Sequence, residues 1–143
     1  SGEQFLKFYP RGQKNLGGEP LFRWTKPSAV IMSEGNYSDA HLFPYAYKAL
    51  NIGKLVGMPV AGTGTAVWWE RLIDSSLVFG IPQVSTIDKQ GRYLENTQLE
   101  PDIKVTNSPE HRAKGQDRQL EKAVEHLLSL PDPEPWPLPE DQK

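Results

Sequence analysis

Nucleophilic chemistry in this chain would have to start from Ser38. It sits in Glu34-Gly35-Asn36-Tyr37-Ser38-Asp39-Ala40. An apolar run, Ala29-Val30-Ile31-Met32, ends before it, and a helical pattern of Leu42, Phe43, Ala46, Tyr47 and Leu50 begins after it. A hydroxyl between a strand end and a helix start lies near free backbone N–H groups. An alkoxide and a tetrahedral oxyanion can both be stabilised there. The same position also suits an ordinary helix N-cap. An unassisted serine needs a base within hydrogen-bond reach, and the chain has three histidines. His126 falls on or beside a helical apolar stripe and His111 in a polar loop, so both read as packing or solvated residues. His41 follows Ser38 by three residues, on a neighbouring helix face. Side chains at that spacing lean back along the axis rather than converge on a substrate. Lys48 and Lys54 show no reason to lie near Ser38. The chain therefore offers a nucleophile without an obvious base.

Glu95, in Tyr93-Leu94-Glu95-Asn96, follows a turn signal at Asp88-Lys89-Gln90-Gly91. A carboxylate there can orient an imidazole as the third member of a triad does, or be a solvated strand-end residue. Gly62-Thr63-Gly64-Thr65 has the glycine content of a phosphate loop but lacks its lysine and following helix. Glu34, Asp39 and His41 have no metal-ligand spacing, and neither a metal nor a cofactor is expected. Trp68-Trp69 in a β pattern reads as core plus rim.

The elements that must position these residues make a mixed α/β fragment. A strand over Ala29–Ser33 leads to a helix from Ser38 to about Leu50, with Ser38 or Asp39 as N-cap and Pro44 early enough to be tolerated. A short strand at Lys54–Met58 and the glycine loop follow. Then comes a β-rich section: Ala66–Trp69, Ser76–Phe79 and Gln83–Ile87. Asp102–Val105 is a last strand. Asp117 caps a helix with Leu120, Ala123, Val124, Leu127 and Leu128 on one stripe. Residues 1–27, rich in Gly, Pro, Lys and Arg, read as an irregular lead-in, and Ser1-Gly2 as a cloning scar. Residues 131–143 contain five Pro and read as an extended or disordered, solvated tail.

Bulk properties narrow the partners. A formal charge of −2 and a pI near 5.9 give no electrostatic case for nucleic acid or an anionic membrane. No apolar run approaches the roughly 20 residues needed to span a bilayer. There are no cysteines, which excludes disulfides, thiolate catalysis and Cys-ligated zinc.

The order of the segments resembles the C-terminal half of the catalytic domain of tail-specific (C-terminal processing) serine peptidases, most closely the tricorn-type branch. The resemblance runs from Trp24-Thr25-Lys26-Pro27 through Glu34 to Ser38-Asp39 and Leu42-Phe43-Pro44-Tyr45. It continues with Gly53 to Gly57, Gly62-Thr63-Gly64, Glu95-Asn96 and Pro101-Asp102-Ile103, and closes at Gly115–Leu120. It implies a crotonase-like, ClpP-like peptidase fold, with residues 28–130 as the C-terminal half of the domain and residues 1–27 as the end of an upstream part. It implies that Ser38 is the acylating nucleophile and that the N–H of Asp39 is an oxyanion-hole donor. In the Ser–Lys branch the base lies 25 residues after the nucleophile, where this chain has Thr63. The tricorn-type branch instead takes a His from an earlier part of the chain, beside another Ser, and a Glu that matches Glu95. Gln98 stands where Gly is usual, and Met58 to Gly62 departs from an Arg-Thr-Trp-Gly run. The implied function is a serine endopeptidase acting on peptides or proteins, here a nearly inactive fragment lacking its general-base His. The alternative is a degenerate peptidase fold that binds peptides or partner subunits without hydrolysis. Relatives assemble into oligomers, and they occur in the bacterial periplasm or cell envelope, the favoured compartment, or in the cytoplasm.

Overall fold

The computed structural model describes residues 24 and 26–132, together with the backbone of 6–7 and 18–19. It divides into two compact units. In the first, Ser1–Pro27 with Ser129–Lys143, strand β1 (Leu6–Lys7) pairs antiparallel with β2 (Gly18–Glu19). This pairing falls in the stretch expected to be irregular. The rest of that lead-in, Trp24 and residues 26–27 aside, lies outside the described residues, as does the proline-rich tail beyond Asp132.

The second unit, Ser28–Leu128, is built on a three-stranded parallel sheet in the order β3 (Ala29–Met32), β4 (Lys54–Gly57), β7 (Ile103–Lys104). Helix α1 (Asp39–Ala49) makes the crossover from β3 to β4, as a parallel pair requires. The register sets Val30 against Leu55 and Met32 against Gly57, so Val30, Leu55 and Met32 share one face. That face carries the core: Met32 and Leu55 with Tyr47 of α1, and Val60 and Leu99 joined by an isolated antiparallel bridge. The opposite pleat holds Ile31, Val56 and Ile103. Lys48 reaches across to the carbonyl of Glu100 and to Asp102, whose carboxylate accepts the N–H of Leu55 at 2.8 Å.

A hairpin of β5 (Ala66–Arg71) and β6 (Val78–Val84) follows, longer in β6 than expected. Ile87 is not part of it; it bridges Tyr93 around the turn, where Gly91 takes φ 78°. Trp68 and Trp69 are 64% and 70% exposed, which corrects their assignment to core and rim. The reason is architectural: the hairpin is a two-stranded sheet of its own, with every residue of β5 exposed.

Short α2 (Pro109–Ala113) is capped by Ser108, and α3 (Arg118–Leu128) by Asp117, whose carboxylate accepts the N–H of Leu120 and of Gln119. Helix α3 packs on β3 and β4, but through Gln119 and Ala123. Leu120, Val124 and Leu128 of the anticipated stripe are exposed. The Gln119 side chain donates to the carbonyl of Val105 at 3.0 Å, which fixes the helix's rotation and turns the leucines outward. Among the described residues no helix is long and apolar enough to cross a membrane.

Leu55 is fully buried in the core cluster, whereas Phe43 is 62% exposed. Leu55→Ala is therefore expected to cost about 2–5 kcal/mol by urea denaturation, and Phe43→Ala under about 1 kcal/mol.

Candidate active site

The turn from β3 into α1 is organised by Asn36. Its side-chain oxygen accepts from the N–H and the hydroxyl of Ser33, both at 3.2 Å. Its amide donates to the carbonyl of Ala40 at 2.9 Å. That carbonyl would ordinarily accept from the N–H four residues on, but this residue is Pro44, which has none. Asn36 thus satisfies the acceptor that the proline orphans, and ties the turn to the helix around Ser38.

Ser38 occupies the N-cap position without behaving as a cap. Its φ of 55° and ψ of −121° lie far from the extended conformation of an N-cap, and its side chain makes no capping bond. The expectation of a hydroxyl cap is corrected accordingly. A non-glycine residue in this region costs on the order of 1–3 kcal/mol, and such strain concentrates at functional sites. A sharp strand-to-helix turn that frees a serine hydroxyl is the geometry of a nucleophile elbow. In the first turn of α1, Ala40 N–H bonds the carbonyl of Tyr37, and His41 and Leu42 N–H groups bond that of Ser38. Asp39 N–H is left without an acceptor among the described residues. It is the open donor beside the hydroxyl.

The loop after β4 comes to the same edge. The N–H of Ser38 donates to Thr63 Oγ1 at 3.0 Å. Glu95 Oε2 accepts the N–H groups of Gly64 and Thr65, both at 2.9 Å. Asn96, in the left-handed region at φ 59°, turns its N–H onto the carbonyl of Gly62 at 2.9 Å. Gly62 must be glycine, since a Cβ there would lie 2.2 Å from the N of Thr97. The hydrogen bonds from Gly64, and then from Thr65, hold the Glu95 carboxyl below its ordinary value of 4.5, against an opposing effect of burial. Ser38, Thr63, Thr65, Val67 and Glu95 line one cavity of about 230 Å³.

Residues 5–105 match the family described as Peptidase family S41. The chain belongs to that family. Its relatives place it in the tricorn-type branch of these tail-specific peptidases. The tricorn protease of Thermoplasma volcanium is 31% identical over 104 residues, covering 72% of this chain and 10% of the relative. Tricorn protease homolog 1 of Streptomyces coelicolor is 29% identical over 114 residues, covering 79% and 11%. The chain spans about a tenth of the length of these curated relatives. The crystal structure of the tricorn protease matches at TM-score 0.70 and 22% identity, over 88% of this chain and 12% of that one. Mature CPAF complexed with lactacystin matches at 0.63 and 23%, over 81% and 22%. At these identities the likeness is one of fold, and it bears out the mixed α/β peptidase architecture.

The S41 match reaches back to residue 5, well ahead of Trp24, where the resemblance in sequence begins. Of the residues anticipated from sequence, Ser38 and Glu95 share the cavity, and Asp39 follows the serine directly as the first residue of α1. His41 is not joined to Ser38. It is fully buried, edge-on to Tyr45 at 6.3 Å, and neither ring nitrogen has a hydrogen-bond partner among the described residues. Among those residues no cluster of His, Cys, Asp and Glu is arranged to hold a metal. Sequence reasoning missed Asn36, although a proline four residues after Ala40 signals a carbonyl in need of a donor. It also read Thr63 only as a lost lysine.

Because Glu95 titrates lower in the folded state than its ordinary value, the unfolded state binds more protons in the acid range. Its contribution to stability is complete above about pH 4.5 and is lost as pH falls through the lowered value. Glu95→Gln keeps an acceptor for both N–H groups but cannot titrate. The variant is expected to lose less thermal stability than the wild type between neutral pH and pH values below 4.5, read as Tm against pH.

Proposed function

We propose that this chain is the C-terminal half, residues 28–130, of a serine endopeptidase domain, with Ser38 as the nucleophile. What carries the reading is the pairing at the start of α1: a strained serine whose hydroxyl is spared from capping, beside an Asp39 N–H with no acceptor among the described residues. Ser38 Oγ would attack the scissile carbonyl and pass its proton to an imidazole. The carbonyl oxygen would gain the negative charge, and Asp39 N–H would donate to it. Collapse would break the C–N bond, with the imidazolium protonating the leaving amine, and water would later release the acyl group from Ser38.

The reading does not assign the imidazole to His41, whose ring is fully buried and is not among the residues lining the cavity. The reading takes the base from sequence outside this chain, as the family resemblance implies. Glu95 would orient it directly or through another serine, using the carboxylate oxygen opposite Oε2, for which the lowered pKa supports a charged state at neutral pH. The substrate is a peptide or protein in an envelope, periplasmic or cytoplasmic setting, and the working enzyme is an oligomer. Binding without hydrolysis was suggested by Thr63 and Gln98. Thr63 loses its force as a sign of decay, since its hydroxyl is hydrogen-bonded to the backbone of the nucleophile.

Ser38→Ala in the full-length protein is expected to lower peptide turnover by at least about 10³-fold. Unchanged turnover would remove the nucleophile assignment. The 143-residue chain alone is expected not to label with a fluorophosphonate, whereas a protein carrying the upstream histidine labels at Ser38. Strong labelling of the short chain would return His41 to consideration.

A further inference from the structure

We propose that Thr63 is a positioning residue for Ser38: it accepts the serine's N–H and so keeps the hydroxyl out of the helix cap. The inference rests on the reading of Ser38 as nucleophile. At an ordinary helix start, a serine at the N-cap and an acidic or amide side chain three residues on satisfy each other. The serine oxygen accepts the later residue's N–H, and the later side chain accepts the serine's N–H. Both arms are replaced here. The residue three positions on is His41, whose N–H bonds the main-chain carbonyl of Ser38 at 2.8 Å instead of its hydroxyl. Its ring is buried, with no hydrogen bond among the described residues, and does not accept the N–H of Ser38. The N–H of Ser38 goes instead to Thr63 Oγ1 at 3.0 Å, from a loop 25 residues away.

That acceptor is held from both sides. Gly62 is bonded through its carbonyl to Asn96, and Gly64 and Thr65 through their N–H groups to Glu95. The carbonyl of Gly64 accepts the hydroxyl of Thr86 at 2.8 Å. Thr63 is thus a hydroxyl presented by an anchored loop to a backbone that local conformational preference would not hold at φ 55°. Without it, Ser38 can relax to the extended conformation of a normal N-cap and turn its oxygen onto the first-turn N–H groups. The hydroxyl then becomes a structural acceptor, and the helix is no less stable for the change. A residue that only supports the fold would behave otherwise.

The test compares Thr63→Val, Thr63→Ser and Ser38→Ala in the full-length protein, with hydrogen exchange at the Ser38 amide in all but the last. Thr63→Val is expected to lower kcat about 10- to 100-fold with KM within about twofold, and to leave Tm unchanged or higher. Its Ser38 amide should exchange about tenfold faster than in the wild type. Thr63→Ser, which keeps the acceptor, should stay within about threefold of wild type in both readouts. Unchanged kcat in Thr63→Val, or an equal loss in Thr63→Ser, overturns the proposal. A Ser38 amide that already exchanges freely in the wild type also overturns it, while leaving the nucleophile reading standing. Unchanged turnover in Ser38→Ala removes the nucleophile reading, and the positioning role with it.

Discussion

The site depends on one carboxylate accepting two backbone N–H groups. Glu95 Oε2 gathers the amides of Gly64 and Thr65, while the neighbouring Asn96 N–H holds the carbonyl of Gly62. Charge-assisted bonds of this kind are roughly twice as strong as neutral ones. Here they close a loop of four residues over the Glu-Asn pair. Three of the loop's backbone positions are thereby fixed, and the fourth, Thr63, presents its hydroxyl to Ser38. A residue assigned by resemblance to orienting a histidine also builds the platform on which the serine rests. Removing its charge would act on both, so a loss of activity at Glu95 alone would not separate the two.

The parallel sheet explains why these segments meet. Chain direction is the same in β3 and β4, so the turn after Met32 and the loop after Gly57 leave from the same edge. In open α/β sheets, ligands collect outside the carboxyl ends of strands for this reason. The strands come close at that end: a Cβ on Gly57, at φ 131°, would lie 2.0 Å from the carbonyl oxygen of Met32. Both strand ends are buried, and Ser38 with its positive φ follows one of them. The core of Met32, Tyr47, Leu55, Val60 and Leu99 ties both strands, α1 and the segment after Asn96 into one body. The cavity sits at its rim, where Ser38 is exposed and its backbone N–H is still held by Thr63.

Much of this was legible in the chain. The apolar run before Ser38, the helical period after it and the Asp88–Gly91 turn all follow from local preferences that the fold obeys. Ser38's placement at the strand-to-helix junction was readable, but its positive φ was not. Sequence alone predicts the cheaper alternative, a capping serine; in the structure Thr63 bonds the N–H of Ser38, and Asn36 ties the turn on either side of it through Ser33 and Ala40. Thr63 shows the limit most clearly. Its contact is with Ser38, 25 residues away; the resemblance implies that position 63 lies near the serine, but nothing local encodes which hydroxyl meets which amide. The same holds for α3, where a stripe of leucines predicted the buried face and a single Gln119 bond to Val105 decided the rotation.

Those outward leucines bear on the incomplete site. Leu120, Val124 and Leu128 on α3, and Trp68, Trp69 and Phe79 on the hairpin, are patterned for burial and yet exposed. Exposed apolar residues gathered on one element mark candidate interaction surface. The hairpin also borders the cavity, since Val67 of β5 lines it beside Ser38 and Glu95. The hairpin part of that exposed surface therefore adjoins the cavity, whereas the α3 leucines are not among the residues that line it. On the proposed reading, Ser38, the N–H of Asp39 and Glu95 have their places at this cavity, and the chain spans about a tenth of the length of its curated relatives, so a further segment of such a protein has room to act here. On the proposed reading, the exposed tryptophans of the hairpin and the base that the site still requires both point to a further segment seated beside the cavity.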